Sequence, residues 1–221
     1  MGPETVRGLE QALNVHLRQV ERLQAQLRSL RSAVVNTIAA LLEARDQATS
    51  AHSEAVTECA VLVARELGLT NADVDAVRMA ALLHDVGKIA VADAVLLKPG
   101  PLDPHEWDEM RRHPVVAQQL LATLPLPPDT VAAVRHHHER YDGGGYPDGL
   151  AGEAIPLAAR IVAVADAFHA MTSDRPYRRR LTIAEARAEI ARCAESHFCP
   201  RVVAAFLRIS GDPEFERAFA A

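Results

Sequence analysis

The stretch LAARIVAVADAFHAMTS, residues 157–173, is apolar on nearly every side of a helical projection. Such a helix has no face to give to water, so it predicts a buried, central element with other helices around it. One acid, Asp166, stands in its middle with apolar residues on both flanks. An ionised carboxylate there is costly unless it is paired or bound to a cation. The same stretch therefore sets the expected fold and opens the question of function.

Working outward, helical patterns recur from Ala40 onward, broken by short loops, with no convincing alternating strand run. SEAVTECAVLVAREL is amphipathic and ends at Gly68. NADVDAVRMAALLHD follows, with Asn71 as the expected N-cap and a stop expected near Gly87. HEWDEMRRHPVVAQQLLATL reads as one helix, closed by Pro125, Pro127 and Pro128. DTVAAVRHHHER comes next, with Asp129 as its expected cap, and leads into the loop Gly143–Gly145. TIAEARAEIARCAES and PRVVAAFLRI complete an all-α body.

Composition agrees with a helical globular chain: 221 residues, 49% hydrophobic, 24% charged and only 4% aromatic. A net charge of −5 argues against a nucleic-acid polymer as partner, because such binders usually carry a basic excess. It leaves room for a small phosphorylated ligand. Cys59, Cys193 and Cys199 form no paired framework, which predicts reduced thiols in a cytoplasmic protein. No apolar run approaches the ~18 residues of a membrane span, so no membrane insertion is expected.

The front of the chain reads differently. Positions 6, 9, 13, 16, 20, 23, 27, 30, 34, 37 and 41 are Val, Leu, Leu, His, Val, Leu, Leu, Leu, Val, Thr and Leu. The alternating steps of three and four make a heptad repeat, interrupted only by His16 and Thr37. Such a stripe predicts a coiled coil, most simply with a second copy of the chain. His16 reads as a polar register residue of that seam.

Potential metal ligands occur in five places: His52, His84 with Asp85, His113, the run His136–His138, and Asp166. Imidazole with carboxylate suits iron, manganese or zinc, and the lack of paired cysteines speaks against a structural zinc site. Adjacent helical residues point about 100° apart. His84 and Asp85 can therefore share one ion only near a helix end, or else serve two ions. The second case favours a carboxylate bridging two metals, an arrangement that activates water against phosphoesters.

HDVGK, LLKPGPLDPHEWDEMRRHP, HHERYDGGGYPDGL and RIVAVADAFHAMTSDRPYR, taken in this order and spacing, resemble the HD-GYP domain of the HD phosphohydrolase superfamily. The resemblance spans roughly residues 45–208. It implies an all-α, HD-type domain over 45–221, and the heptad repeat sets a coiled-coil dimerisation and signalling helix over 1–44 before it. It implies a bacterial cyclic di-GMP phosphodiesterase that yields pGpG or GMP. Two divalent metals, iron or manganese, are implied, because Ala48 stands where tri-metal members carry glutamate. The implied ligands are His52, His84, Asp85 and Asp166 for one ion. Asp85 would bridge to a second ion held by His113, His137 and His138, leaving His136 as an exposed helix residue. Lys88, Arg175 and Arg178 match positions that bind substrate phosphate, and Tyr146 of the glycine loop is expected where substrate or a partner domain would meet the site. The coiled coil adds the expectation of an upstream sensor or receiver domain, and a GGDEF-type partner is expected as well. Two departures stand out: His169 replaces an aspartate usual three residues after the metal aspartate, and Glu195 and Cys199 alter a G-x-x-F-D-P pattern. A receptor that holds cyclic di-GMP with little turnover is the alternative reading. A phosphohydrolase of nucleotide monophosphates is a third, and the Gly-Tyr-Pro loop argues against it.

Overall fold

The computed structural model describes residues 3–45, 50–173 and 179–219. All named elements are helical, and no β-strand forms among the described residues. The chain divides into two compact units, Met1–Thr37 and Ile38–Ala221. No helix among the described residues is long and apolar enough to cross a membrane.

The described residues of the first unit belong to helix α1 (Pro3–Arg45). The seam residues Leu13, Val20, Leu23, Leu27 and Leu30 are exposed along it.

The second unit is built around the expected central helix. Its elements are α2 (Ser50–Glu66), α3 (Asn71–Leu83), α4 (Asp93–Leu96), α5 (Pro104–Met110), α6 (His113–Leu121), α7 (Pro128–His136), α8 (Leu157–Thr172), α9 (Ile183–Arg192), α10 (Pro200–Ile209) and α11 (Pro213–Phe219). Helix α8 packs against α2, α3, α7, α9 and α10. It buries Ala159, Ile161, Val162, Val164, Ala165 and Phe168, and the Phe168 ring meets Phe206 and Phe215.

The helix boundaries differ from the sequence reading in ways that matter for the site. The cap of α3 is Thr70, not Asn71: its hydroxyl accepts from Asp73 N–H at 3.3 Å, and the Asp73 carboxylate accepts in return from Thr70. Asp129 does not cap α7 either. Pro127 holds that place, and Asp129 lies in the first turn, where a negative charge suits the helix dipole. The stop expected near Gly87 comes earlier, with His84 as the C-cap of α3 and a 3₁₀ turn over Val86–Ala90. The single helix expected over residues 105–124 is two, α5 and α6. Pro114 causes the break: it has no N–H to give to the carbonyl of Met110, so the α-helical ladder cannot run through.

Candidate metal centre

Three of these helix ends deliver histidines to one place. A helix C-terminus leaves carbonyls without backbone partners. His84 lies just past α3 and its Nδ1 donates to the carbonyl of Ala81 at 2.7 Å. His113 donates from Nδ1 to Met110 at 2.8 Å, the carbonyl that Pro114 cannot serve. His137, the C-cap of α7, donates from Nδ1 to Val134 at 2.7 Å. A carbonyl can only accept, so each neutral ring carries its proton on Nδ1 and presents Nε2 as a lone pair. This is the support that metal-binding histidines ordinarily have.

The Nε2 atoms converge around Asp85. Its Oδ2 lies 3.4 Å from His84 Nε2, and its Oδ1 lies 3.5 Å from His113 Nε2. His113 Nε2 and His137 Nε2 stand 3.4 Å apart. Two clusters result, His52–His84–Asp85 and His113–His137–His138, each with ligand atoms within 4.8 Å of one another. Asp166 joins the first side through His52, whose Nε2 is 3.2 Å from Asp166 Oδ1. Lys88, one turn beyond Asp85, places its ammonium 2.6 Å from Asp85 Oδ2.

The electrostatics match neutral nitrogen donors at His113, His137 and His138 beside ionised acids, with His84 the exception. Burial, reinforced by neighbouring imidazoles, holds His137 well below the ordinary histidine range, and burial takes His138 down to about 3. His113 is lowered mainly by burial as well. Burial would lower His84 too, but the charges of Asp85 and Asp166 outweigh it and lift that ring to about 9. Asp85 and Asp166 are held well below the usual carboxylate range despite burial, Asp85 chiefly by Lys88 and Asp166 chiefly by His52. The donor set fits a metal on a direct observation. His84 Nε2 is buried without a hydrogen-bond partner, and two acceptor nitrogens face each other at 3.4 Å. A cation satisfies both conditions, with the His84 proton released on binding.

Residues 36–202 match the HD domain family. The chain belongs to the HD domain family. This HD domain protein is 45% identical over 203 residues to the cyclic di-GMP phosphodiesterase response regulator RpfG of Xanthomonas campestris pv. campestris, covering 90% of the chain and 52% of that relative. It is 41% identical over 156 residues to 3'3'-cGAMP-specific phosphodiesterase 3 of Vibrio cholerae, covering 70% of the chain and 34% of that protein. Among solved structures, the cyclic GMP-AMP phosphodiesterase V-cGAP3 of V. cholerae matches with a TM-score of 0.61 at 18% identity, over 77% of this chain and 46% of that one. That likeness shows the fold. The chain spans about half the length or less of these curated relatives.

The HD domain carries a cavity of about 590 Å³ over the two clusters, walled by His52, Asp85, Lys88, His138, Tyr146 and Asp166 among others. Tyr146 stacks on His138, with centroids 4.9 Å apart and planes 27° from parallel. The sequence reading missed Trp107, Arg111, Arg140 and His197 in the same wall. Arg111 sits 5.8 Å from the Tyr146 ring centre and 5.9 Å from that of Trp107, an arrangement suited to cation–π contact. The spacing Trp107–Arg111, one helical turn, was the available signal; no pattern in sequence links His197 to this wall. Arg175 and Arg178 lie outside the described residues.

His136 is not exposed. Its side chain retains 13% exposure, with Nδ1 3.5 Å from Asp148 Oδ2 and 3.7 Å from Glu139 Oε1. Buried Glu139 also accepts the Asp148 N–H at 2.8 Å, and Arg135 forks onto Asp148 at 2.8 and 2.7 Å. These bonds pin the end of the glycine loop to α7. Within the loop, Gly143 takes a left-handed φ of 82°, whereas a side chain on Gly145 would collide with the backbone of His138, Glu139 and Arg140. Gly144 has neither constraint of comparable force: a side chain there would meet side-chain atoms alone, Asp142 Oδ1 at 3.2 Å and Arg140 Nε at 3.4 Å.

The departures from the HD-GYP pattern have definite places. Cys199 is buried at the start of α10, with Arg160 Nη1 3.3 Å from its sulfur. Arg160 also pairs with Glu153 at 2.6 Å. Glu195 adopts φ 66°, a conformation that favours the glycine it replaces. His169 Nδ1 lies 2.7 Å from His52 Nδ1.

Proposed function

We propose that this HD domain hydrolyses the phosphodiester bonds of cyclic di-GMP, to pGpG or GMP, in bacterial second-messenger signalling. The observation that carries the reading is the carboxylate of Asp85, with one oxygen toward His84 and the other toward His113. That is the disposition of a bridge between two ions. The proposed ligands are His52, His84, Asp85 and Asp166 on one side, and Asp85, His113, His137 and His138 on the other. Two divalent ions, iron or manganese, are the proposed cofactors. When bound they would supply Lewis-acid activation of water and neutralise charge on the phosphate.

The chain's own groups account for the rest. Lys88, one turn past Asp85, has its ammonium at the cavity wall, where it can follow charge that develops on a phosphoryl oxygen. Tyr146 and Arg111 offer flat faces to a nucleobase or sugar. The proposed phosphate-binding roles of Arg175 and Arg178 rest on the motif resemblance. The exposed heptad stripe supports a homodimer through α1, with residues 1–44 as dimerisation helix and 45–221 as the HD-GYP domain. An upstream sensor or receiver domain, a GGDEF-type partner and a cytoplasmic setting complete the proposal.

A second substrate has support of its own. The Vibrio cholerae relative at 41% identity is named for 3'3'-cGAMP, so that mixed dinucleotide belongs in the same assay. The test is turnover of cyclic di-GMP, 3'3'-cGAMP and a nucleotide monophosphate with Mn²⁺ or Fe²⁺, products separated by chromatography, for the native chain and Asp85→Ala. Conversion of the cyclic dinucleotides, lost with metal in the variant, is expected. Tight binding of cyclic di-GMP without turnover would make the protein a receptor, and full activity of Asp85→Ala would overturn the site.

A further inference from the structure

Three of the proposed ligands have their ring orientation set by a backbone carbonyl at a helix end. His52 cannot, because it lies in the first turn of α2, where the free backbone groups are N–H donors rather than carbonyls. Its Nδ1 instead meets a side chain: His169 Nδ1, at 2.7 Å, on α8. The two rings stand edge to face, with centroids 4.7 Å apart. Asp166 and His169 are three residues apart on α8 and so share a face. One touches His52 at Nε2 and the other at Nδ1.

We propose that His169 is a positioning residue that fixes the tautomer and orientation of His52 and thereby completes the first metal site. The inference rests on the reading of His52 as a ligand. Two bare nitrogens 2.7 Å apart would repel, so one of them carries the proton. His52 Nε2 faces Asp166 Oδ1 at 3.2 Å, so a cation seated between them takes the place of a proton on Nε2, and the ring then keeps its proton on Nδ1. His169 Nδ1 is then the acceptor, and its remaining proton resides on Nε2. Ser173 Oγ lies 3.0 Å from that Nε2, nearer than the 3.3 Å to Nδ1, and accepts it. The Ser173 N–H in turn donates to the His169 carbonyl at 3.0 Å, which ties the acceptor to the end of α8. The relay runs from His52 N–H to His169, and from His169 N–H to Ser173. A carboxylate at position 169 would accept the same His52 proton, so the replacement of the usual aspartate preserves the function while changing the residue.

The test uses the full chain, stripped by chelator and titrated with Mn²⁺ by calorimetry, with metal content measured after dialysis. His169→Leu and His169→Lys remove the acceptor and are expected to weaken the first site about 10- to 100-fold, the usual effect of losing an outer partner. His169→Asp is expected to restore native affinity. The Lys and Asp variants carry the test should Leu misfold. A long-range ¹H–¹⁵N spectrum of the Zn²⁺-loaded protein should place the His52 proton on Nδ1 in the native and Asp forms. Native Mn²⁺ affinity in both acceptor-less variants, or Asp binding as weakly as Lys, overturns the proposal. His52→Leu separates the two ideas: if it keeps both ions at native affinity, the ligand reading itself is wrong.

Discussion

His113 and His137 face one another through Nε2 at 3.4 Å, although each has already committed its Nδ1 proton to a backbone carbonyl. Two lone pairs at that separation are a cost in the metal-free state and a ready-made pair of donors in the loaded one. Chelator-treated protein should therefore gain stability from Mn²⁺. At a free concentration a hundredfold above Kd the gain is about 2.7 kcal/mol per site. For a domain of this size that corresponds to a rise of roughly 5–10 °C in Tm by scanning calorimetry. His137→Gln should remove most of it.

The buried imidazoles make the metal-free fold sensitive to mild acid. An imidazole in the unfolded chain titrates near 6.5, whereas burial takes His138 down to about 3 and lowers His113 and His137 as well. Below 6.5 the unfolded state binds protons that the fold refuses, so stability falls with pH, by up to about 1.4 kcal/mol per unit for each such ring. His84 acts in the other direction. Raised to about 9, it stabilises below 6.5 and loses that contribution only as pH rises through 9. It is protonated in both states in the acid window. The depressed carboxylates of Asp85 and Asp166 hold their contribution until pH falls below about 3.9. Melting of chelator-treated protein followed by circular dichroism should show Tm dropping from pH 6.5 to 5; a flat profile would contradict the burial argument.

The glycine loop should respond to alanine in a definite order. Gly145→Ala drives a methyl into backbone atoms of His138, Glu139 and Arg140, so a loss of about 1–3 kcal/mol is expected in urea unfolding. Gly143→Ala pays for a left-handed φ of 82°, about 1 kcal/mol. Gly144→Ala should be nearly silent. Conversely, Glu195→Gly relieves a left-handed residue and should stabilise by up to about 1 kcal/mol.

The exposed stripe of α1 predicts self-association. Leu23 and Leu30 are 52% and 63% exposed, and Leu23→Glu with Leu30→Glu places like charges in the seam of a paired helix. Sedimentation should show a dimer for the native chain and a monomer for the double variant, with the helical signal of the second unit unchanged. A native monomer would remove the coiled coil from the proposal.

Much of this protein is legible in its residues, and particular elements show where legibility stops. The apolar run around Asp166 predicted the central helix, because a helix without a polar face can only be enclosed. The acid and histidine residues stood out for the same reason: each sits where burial makes an unpaired charge expensive. Other features depend on elements far apart in the chain. Pro114 shows in the sequence as a proline after a histidine, yet only the broken ladder reveals that His113 takes the carbonyl left free at Met110. His136 reads as a surface residue until the loop returns Asp148 to it.

The sequence by itself determined the class of fold, the heptad stripe and the inventory of ligand-competent side chains, since these follow from local periodicity and from the cost of burying charge. The tertiary structure alone decided which nitrogen each ring presents and which oxygen of Asp85 faces which histidine. It also brought His169 to the Nδ1 of His52. Those are matters of direction between groups brought together by packing, and no spacing along a chain specifies them.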